Sequence, residues 1–201
     1  FERIMRIDPS RVRGAKLSML DDELEIRLRR EMLEHDQFML TGDDFHFGRL
    51  SAGEDDGTPE VQGATEFDGR EVLLGDFSHA LLGVLDAIAE PAALALRRLA
   101  SGDRAGYDRI MEPCERLGQA IFKEPTRFYK TGLAFLAWLD GRQDNPMLIN
   151  HEESQRSSED LLDCIRLADA AGGLRNLKTV ADRLGPLPDP APRRGLGDLA
   201  R

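Results

Sequence analysis

Two short stretches, VRGAKLSM at residues 12–19 and FMLTGDD at residues 38–44, decide the fold that the sequence predicts. Both are brief and mostly apolar, as buried strands are. Residues 21–33 lie between them and predict an amphipathic helix, because apolar side chains recur every fourth residue from Leu24 to Met32. A strand, a helix and a second strand in this order indicate parallel pairing with a right-handed crossover.

The rest of the chain predicts one further strand and a long helical region. Residues 71–75 predict the third strand, and the Gly-rich, acidic segment 51–69 before it predicts a solvent-exposed loop. The tail, residues 186–201, is dominated by Pro, Gly and Arg and is expected to be disordered. Helices are expected at residues 80–89, 91–100, 104–122, 126–139 and 157–171.

This order of elements predicts an α/β fold, the last three strands of a (β/α)8 TIM barrel followed by a C-terminal helical extension. Residues 1–90 would form the barrel part and residues 91–185 the helical region. The first part of the barrel would then precede Phe1.

The charge balance and the length of the apolar runs exclude several classes of protein. The chain has 27 Lys and Arg against 37 Asp and Glu, a formal net charge of −10, which is poorly suited to neutralising nucleic-acid phosphates. No apolar run approaches the ~20 residues of a membrane helix. Cys114 and Cys164 fall in separate helical patterns and outside any CxxC motif. The sequence therefore predicts a cytoplasmic protein without nucleic-acid or membrane partners.

Lysine is scarce in this chain, and its positions matter for nucleophilic chemistry. The four lysines are Lys16, Lys123, Lys130 and Lys178. Arginine is always protonated and cannot act as an amine nucleophile, so imine chemistry requires one of these four. Lys16 is at the end of a predicted strand, where a βα barrel carries its active site, and in water-poor surroundings its amine would attack a carbonyl. The alternative is a lysine that ends a strand and extends into solvent.

Polar residues follow the second and third predicted strands. Gly42, Asp43, Asp44 and His79 are the candidate substrate-binding residues at these strand ends. Asp pairs also commonly cap the next helix or accept hydrogen bonds from loop amides, which is the structural alternative. A second alternative joins these carboxylates to His46 and His79 as ligands of a divalent metal.

Gly14-Ala15-Lys16 followed by residues 38–44 resembles the dihydrodipicolinate synthase / N-acetylneuraminate lyase family. In that family a strand ending in Gly, a small or apolar residue and Lys carries the Schiff-base lysine, and the next strand ends in a similar Gly-Asp-Asp turn. The resemblance extends from about residue 10 to 185 and includes an uncharacterised bacterial branch known as dihydrodipicolinate synthase family proteins. Its further motifs are residues 16–21, 41–45, 77–83, 102–103, 122–125 and 129–139.

The resemblance implies an aldolase-type carbon–carbon lyase or synthase acting on a 2-oxo acid such as pyruvate, through an imine on Lys16. It implies no metal or organic cofactor, because the protonated imine is itself the electron sink, and it implies a homo-oligomer. The family's carboxylate-binding Thr pair and proton-relay Tyr would precede residue 1, and Tyr107 and Tyr129 are not expected to replace them. Leu17 departs from the family, which often has an acidic or small polar residue there.

Two other functions remain as alternatives at this point. A metal-dependent lyase or isomerase would use Asp43, Asp44 and His79. A truncated barrel without activity would expose an unpaired strand edge.

Overall fold

The computed structural model describes residues 1–54 and 58–185. The helices are α1 (Glu2–Met5), α2 (Asp22–Leu33), α3 (Phe47–Ala52), α4 (Leu85–Ala100), α5 (Arg104–Phe122), α6 (Tyr129–Leu139), α7 (Ser158–Ala170) and α8 (Leu177–Leu184). The strands are β1 (Gly14–Leu17), β2 (Phe38–Thr41), β3 (Val61–Phe67), β4 (Arg70–Gly75) and β5 (His79–Ala80). Two 3-10 helices, Thr126–Phe128 and Ile149–Ser154, flank α6.

The first two predicted strands do pair in parallel, and a helix connects them. β1 and β2 are in register, with Lys16 opposite Leu40, and β5 pairs in parallel with the other edge of β2. Helix α2 makes the crossover, and the side chain of Asp21 caps its start by accepting a hydrogen bond from the Leu24 N–H group. Leu28 on its inner face packs with residues of β1 and β2 in a small apolar cluster.

The prediction for residues 71–75 was wrong about the partner and the direction of the strand. These residues belong to β4, which pairs antiparallel with β3 inside the segment 51–69 that was predicted as a loop. The two residues between the strands, Asp68 and Gly69, both have positive φ, 51° and 69°. An Asp-Gly pair of this kind makes the two-residue turn that suits the twist of a hairpin, so local turn chemistry produced a hairpin here.

The predicted TIM barrel is also wrong. The predicted barrel part needs neighbouring parallel strands that alternate with helices, with residues 71–75 as the third strand. The described residues instead form a mixed α/β fold with a three-stranded parallel sheet and a separate two-stranded antiparallel sheet. The third parallel strand, β5, has only two residues, and from Leu85 to Leu184 the described chain is built from helices and their connections. The interpretation as a truncated barrel fails with it.

The helical predictions fared better than the strand predictions. Helix α5 has the expected bounds, whereas residues 80–89 and 91–100 do not form two helices. Instead α4 runs through Pro91, with a kink at Ile88, where φ is −129°. Helices α3 and α8 were not predicted, and the predicted disordered tail lies outside the described residues.

The main core joins the end of the sheet to the helices. Tyr107, Cys114 and Leu117 of α5 are almost fully buried at its centre, against residues of α3, α4 and α7. None of the described helices is long and apolar enough to cross a membrane.

Candidate functional site

A cavity of about 250 Å³ opens beside the carboxyl ends of β1 and β2. In open α/β sheets this end of the strands is where ligands bind. One wall comes from the sheet region and the other from the helical region. The cavity is lined by Lys16, Ser18, Leu20, Gly42, Asp44 and Gly83 on the first side and by Phe122, Thr126, Arg127 and Tyr129 on the second. We call it the Lys16 cavity.

Gly42 makes room for the lysine side chain. A Cβ atom at Gly42 would lie 2.5 Å from the Lys16 Cε atom and 2.1 Å from the Ser18 Oγ atom. Only glycine fits this close approach, so the glycine after β2 fixes where the Lys16 stem passes. Lys16 is exposed at the cavity, whereas the sequence led us to expect water-poor surroundings.

Asp44 lies at the base of the same cavity and is only 4% exposed. Its Oδ1 atom accepts a hydrogen bond of 2.8 Å from the Val84 N–H group just before α4. Burial raises the pKa of Asp44 to about 6, although that hydrogen bond and the charge of Lys16 favour the ionised form. Asp44 therefore exchanges its proton near neutral pH beside the amine of Lys16.

Asp43 serves the turn after β2 and does not line the Lys16 cavity. Its Oδ1 atom accepts hydrogen bonds from the N–H groups of Phe45 (2.8 Å) and His46 (3.0 Å). Its Oδ2 atom lies 2.9 Å from His46 Nδ1. Burial opposes protonation of His46, but this bond and the charge of Asp43 outweigh it and raise the pKa of the imidazole. Both carboxylate oxygens are thus used locally, as the structural alternative supposes.

His79 lies apart from the other candidates. Its Nε2 atom donates a 2.9 Å hydrogen bond to the Leu73 carbonyl oxygen, and its ring meets the edges of Phe38 and Phe77. It lines a second, more apolar cavity of about 620 Å³ next to the hairpin. The structure therefore brings Lys16, Gly42 and Asp44 together and leaves His79 outside that group.

The second wall of the Lys16 cavity was missed by the sequence analysis. The ring of Tyr129 stacks on Phe122 with centroids 4.4 Å apart and an interplanar angle of 15°. Gly83 lets this pair approach the base of the cavity, since a Cβ atom there would lie 2.8 Å from Phe122 Cζ. The signals in the sequence were the family-like motifs at residues 122–125 and 129–139, which pointed to a turn and a helix and not to a cavity wall.

A buried polar network supports the sheet behind the cavity. Arg29 of α2 is 3% exposed and donates to the Leu50 carbonyl oxygen (3.3 Å), to Ser78 Oγ (3.1 Å) and to Glu54 Oε1 (3.2 Å). Glu25, one turn earlier, is 1% exposed, and burial raises its pKa. Within residues 1–54 and 58–185, no three His, Cys, Asp or Glu side chains form a group suited to a metal ion.

Residues 1–188 match the sequence model of a family described as a protein of unknown function, DUF993. The chain belongs to the DUF993 family. The match includes every residue that lines the Lys16 cavity. No curated protein matches this DUF993 chain, and nothing in the comparisons links it to the dihydrodipicolinate synthase family, so that resemblance stays a prediction.

Proposed function

We propose that this DUF993 protein is an aldolase-type lyase or synthase that forms a Schiff base between Lys16 and a 2-oxo acid such as pyruvate. One observation supports the proposal above the others. The amine of Lys16 and the carboxyl of Asp44 line one small cavity, and Asp44 has a pKa of about 6. A proton-transfer group is most effective when its pKa lies near the working pH.

In the proposed reaction, the ammonium group of Lys16 first gives one proton to the Asp44 carboxylate. The free amine attacks the keto carbon, and a second nitrogen-bound proton moves to the carbonyl oxygen as the carbinolamine forms. Asp44 then returns its proton to the hydroxyl group, which leaves as water, and the nitrogen lone pair makes the C=N bond. The products are one protonated imine, one water and an ionised Asp44, so protons and charge balance.

The protonated imine is the electron sink for carbon–carbon bond making or breaking next to it. In cleavage, the ionised Asp44 takes the proton of the substrate hydroxyl group, and the electrons of the broken carbon–carbon bond move into the iminium, which gives an aldehyde and a neutral enamine. The neutral Asp44 then protonates the enamine carbon, which restores the iminium and the carboxylate. This chemistry requires only the lysine amine and a proton-transfer group. The proposal also includes the cytoplasmic location that the sequence suggested. It includes a homo-oligomer as well, because the resemblance implies one.

Borohydride trapping tests the proposal. We expect pyruvate and sodium borohydride to leave one reduced adduct on Lys16, located by peptide mass spectrometry, because borohydride reduces an imine to a stable secondary amine. Lys16→Arg should lose the adduct completely, since a guanidinium cannot form it.

The scarcity of lysine provides a matched control. A variant with Lys123→Arg, Lys130→Arg and Lys178→Arg keeps Lys16 as its only lysine and should still be trapped. Turnover of a 2-oxo acid without any adduct on Lys16 would contradict the imine mechanism. The metal-dependent alternative is not proposed, because Asp43 is engaged by the turn and His79 lies at the other cavity.

A further inference from the structure

We infer that Arg127 binds the carboxylate of the 2-oxo acid and so selects acids over neutral carbonyl compounds. This inference rests on the proposed function, because it concerns the same cavity. Arg127 lines the same cavity as Lys16 and belongs to the 3-10 helix that precedes α6. Arg127 was not among the residues that the sequence analysis singled out, and the carboxylate-binding residues had been expected before residue 1.

The guanidinium of Arg127 is held in place and yet has free donors. Its central carbon lies over the Phe128 ring, 4.7 Å from the ring centroid, a cation–π contact that restrains the guanidinium. In the described part of the chain it has no carboxylate within 4.0 Å. No hydrogen bond among the described residues uses its N–H groups, and the edge of a guanidinium matches a carboxylate with two parallel hydrogen bonds.

The turn that carries Arg127 is fastened to the rest of the protein. Arg156 donates to the carbonyl oxygens of Lys123 (2.6 Å), Glu124 (3.1 Å) and Pro125 (3.3 Å). These bonds hold three successive residues of the turn just before Arg127. A binding residue on a fastened turn loses less conformational freedom when a ligand binds, which favours affinity.

The charges of the cavity also fit an anionic carbonyl compound. Before substrate binds, the lining contains the positive Lys16 and Arg127 and the single carboxyl of Asp44, within a protein whose formal net charge is −10. A bound 2-oxo acid adds one negative charge, and the imine keeps the positive charge of the lysine nitrogen. Two positive and two negative charges then face each other. The nearby Lys123 pairs with Asp160 and is not free to take this role.

The test compares pyruvate with methyl pyruvate, which has the same keto group and no charge. In borohydride trapping at Lys16, Arg127→Gln should raise the half-saturating pyruvate concentration by about tenfold or more, the loss of roughly one charge-assisted pair of hydrogen bonds. The value for methyl pyruvate should stay within about twofold, because no carboxylate contact is removed. Arg166→Gln removes the same charge from an exposed site on α7 and should change neither value.

Equal changes for both compounds, or none for pyruvate, would overturn the role of Arg127 and leave the imine mechanism standing. Oxamate, an unreactive carboxylate of the same shape as pyruvate, separates the two ideas further. Oxamate binding measured by calorimetry that is lost in Arg127→Gln supports the carboxylate site even if the wild type gives no adduct, in which case only the proposed function fails. Undiminished oxamate binding in Arg127→Gln overturns the inference.

Discussion

Asp44 is the residue whose environment says most about the proposed chemistry. It is buried beside Lys16, tied to the start of α4 through Val84, and its pKa is raised from 3.8 to about 6. A buried carboxyl with a raised pKa is more stable as the neutral acid. The same property that suits proton transfer near neutral pH therefore costs folding stability when the group ionises.

Asp44→Asn should show this cost as a pH-dependent difference in stability. Below about pH 4 the carboxyl is neutral in both states, and between pH 3.8 and about 6 the folded state holds the proton more tightly than the unfolded state. The wild type therefore loses stability as pH rises through this window, by about 3 kcal/mol for a shift of roughly two units. Asparagine cannot ionise and keeps an oxygen for the Val84 N–H group.

Urea unfolding from about pH 4 to about pH 7 measures this difference. The free energy of unfolding of Asp44→Asn, relative to wild type, should rise across the window. Asp169→Asn removes a carboxylate from an exposed position on α7 and controls for net charge. If the difference in the free energy of unfolding between Asp44→Asn and wild type stays constant across the window, Asp44 has the same pKa in the folded and the unfolded protein.

Single residues on the sheet side of the site were predictable from sequence, and those on the helical side were not. Lys16 lies near the end of β1, Gly42 and Asp44 follow β2, and parallel strands bring their carboxyl ends together. Arg127 and Tyr129 reach the cavity only through the packing of α5 and α6 against the end of the sheet. No local pattern encodes that packing, and so a tyrosine set aside on sequence grounds proves to line the cavity.

At the scale of elements, α2 positions both the strand that carries Lys16 and a buried ionic network. The helix buries Glu25 and Arg29 on its inner face, one turn apart, where an amphipathic pattern would place apolar residues. Arg29 connects α2 to the end of α3, to Ser78 and to Glu54. A buried guanidinium with these partners holds the elements in one arrangement, and its removal takes one hydrogen-bond donor from each of them.

Arg29→Met should destabilise the protein by roughly 3–5 kcal/mol, because the buried Glu25 loses a nearby positive charge and the three acceptors of Arg29 each lose a hydrogen-bond donor. Chemical denaturation at constant pH measures the change. The neighbouring Arg30 also pairs with Glu54, but its side chain is 67% exposed, so Arg30→Met should destabilise the protein far less than Arg29→Met. Similar small losses in the two variants would show that the buried network contributes little.

Helices were predicted correctly where the apolar periodicity was strong. The predictions failed where turn residues or a proline determined the local structure. The apolar repeat of α5 and the cap of α2 were clear in the sequence. The hairpin of β3 and β4 depends on Asp68 and Gly69, a strong turn signal inside a segment whose acidity suggested a loop. Pro91 suggested a new helix start, yet α4 continues through it with a kink. The barrel prediction depended on a third parallel strand at residues 71–75, and these residues instead belong to the antiparallel strand β4.

At the scale of the whole molecule, the helical region completes the site that the sheet begins. The three-stranded sheet offers Lys16 and Asp44, and the helices after residue 85 close the other side of the cavity with Phe122, Arg127 and Tyr129. The main core joins the same two regions, since Phe47, Leu82 and Val84 pack directly against α4 and α5. Opening of this core would therefore separate the two walls of the cavity.

The two cysteines report on that opening. Cys114 of α5 is fully buried and Cys164 of α7 is 3% exposed, and both belong to the main core. Burial raises their pKa to about 12 and about 11, so the reactive thiolate is scarce while the core is closed. We expect a thiol reagent such as dithionitrobenzoate to label neither cysteine in native buffer and both in denaturant.

At intermediate denaturant, the two thiols should be labelled at the same rate, because α5 and α7 pack in one cluster and open together. Peptide mass spectrometry after timed labelling gives the two rates separately, and Cys114→Ser and Cys164→Ser identify each signal. Labelling of Cys164 well before Cys114 would show that α7 detaches while α5 stays packed. The wall with Phe122 at the end of α5 would then persist after α7 has opened, and pyruvate trapping on Lys16 would survive the first step.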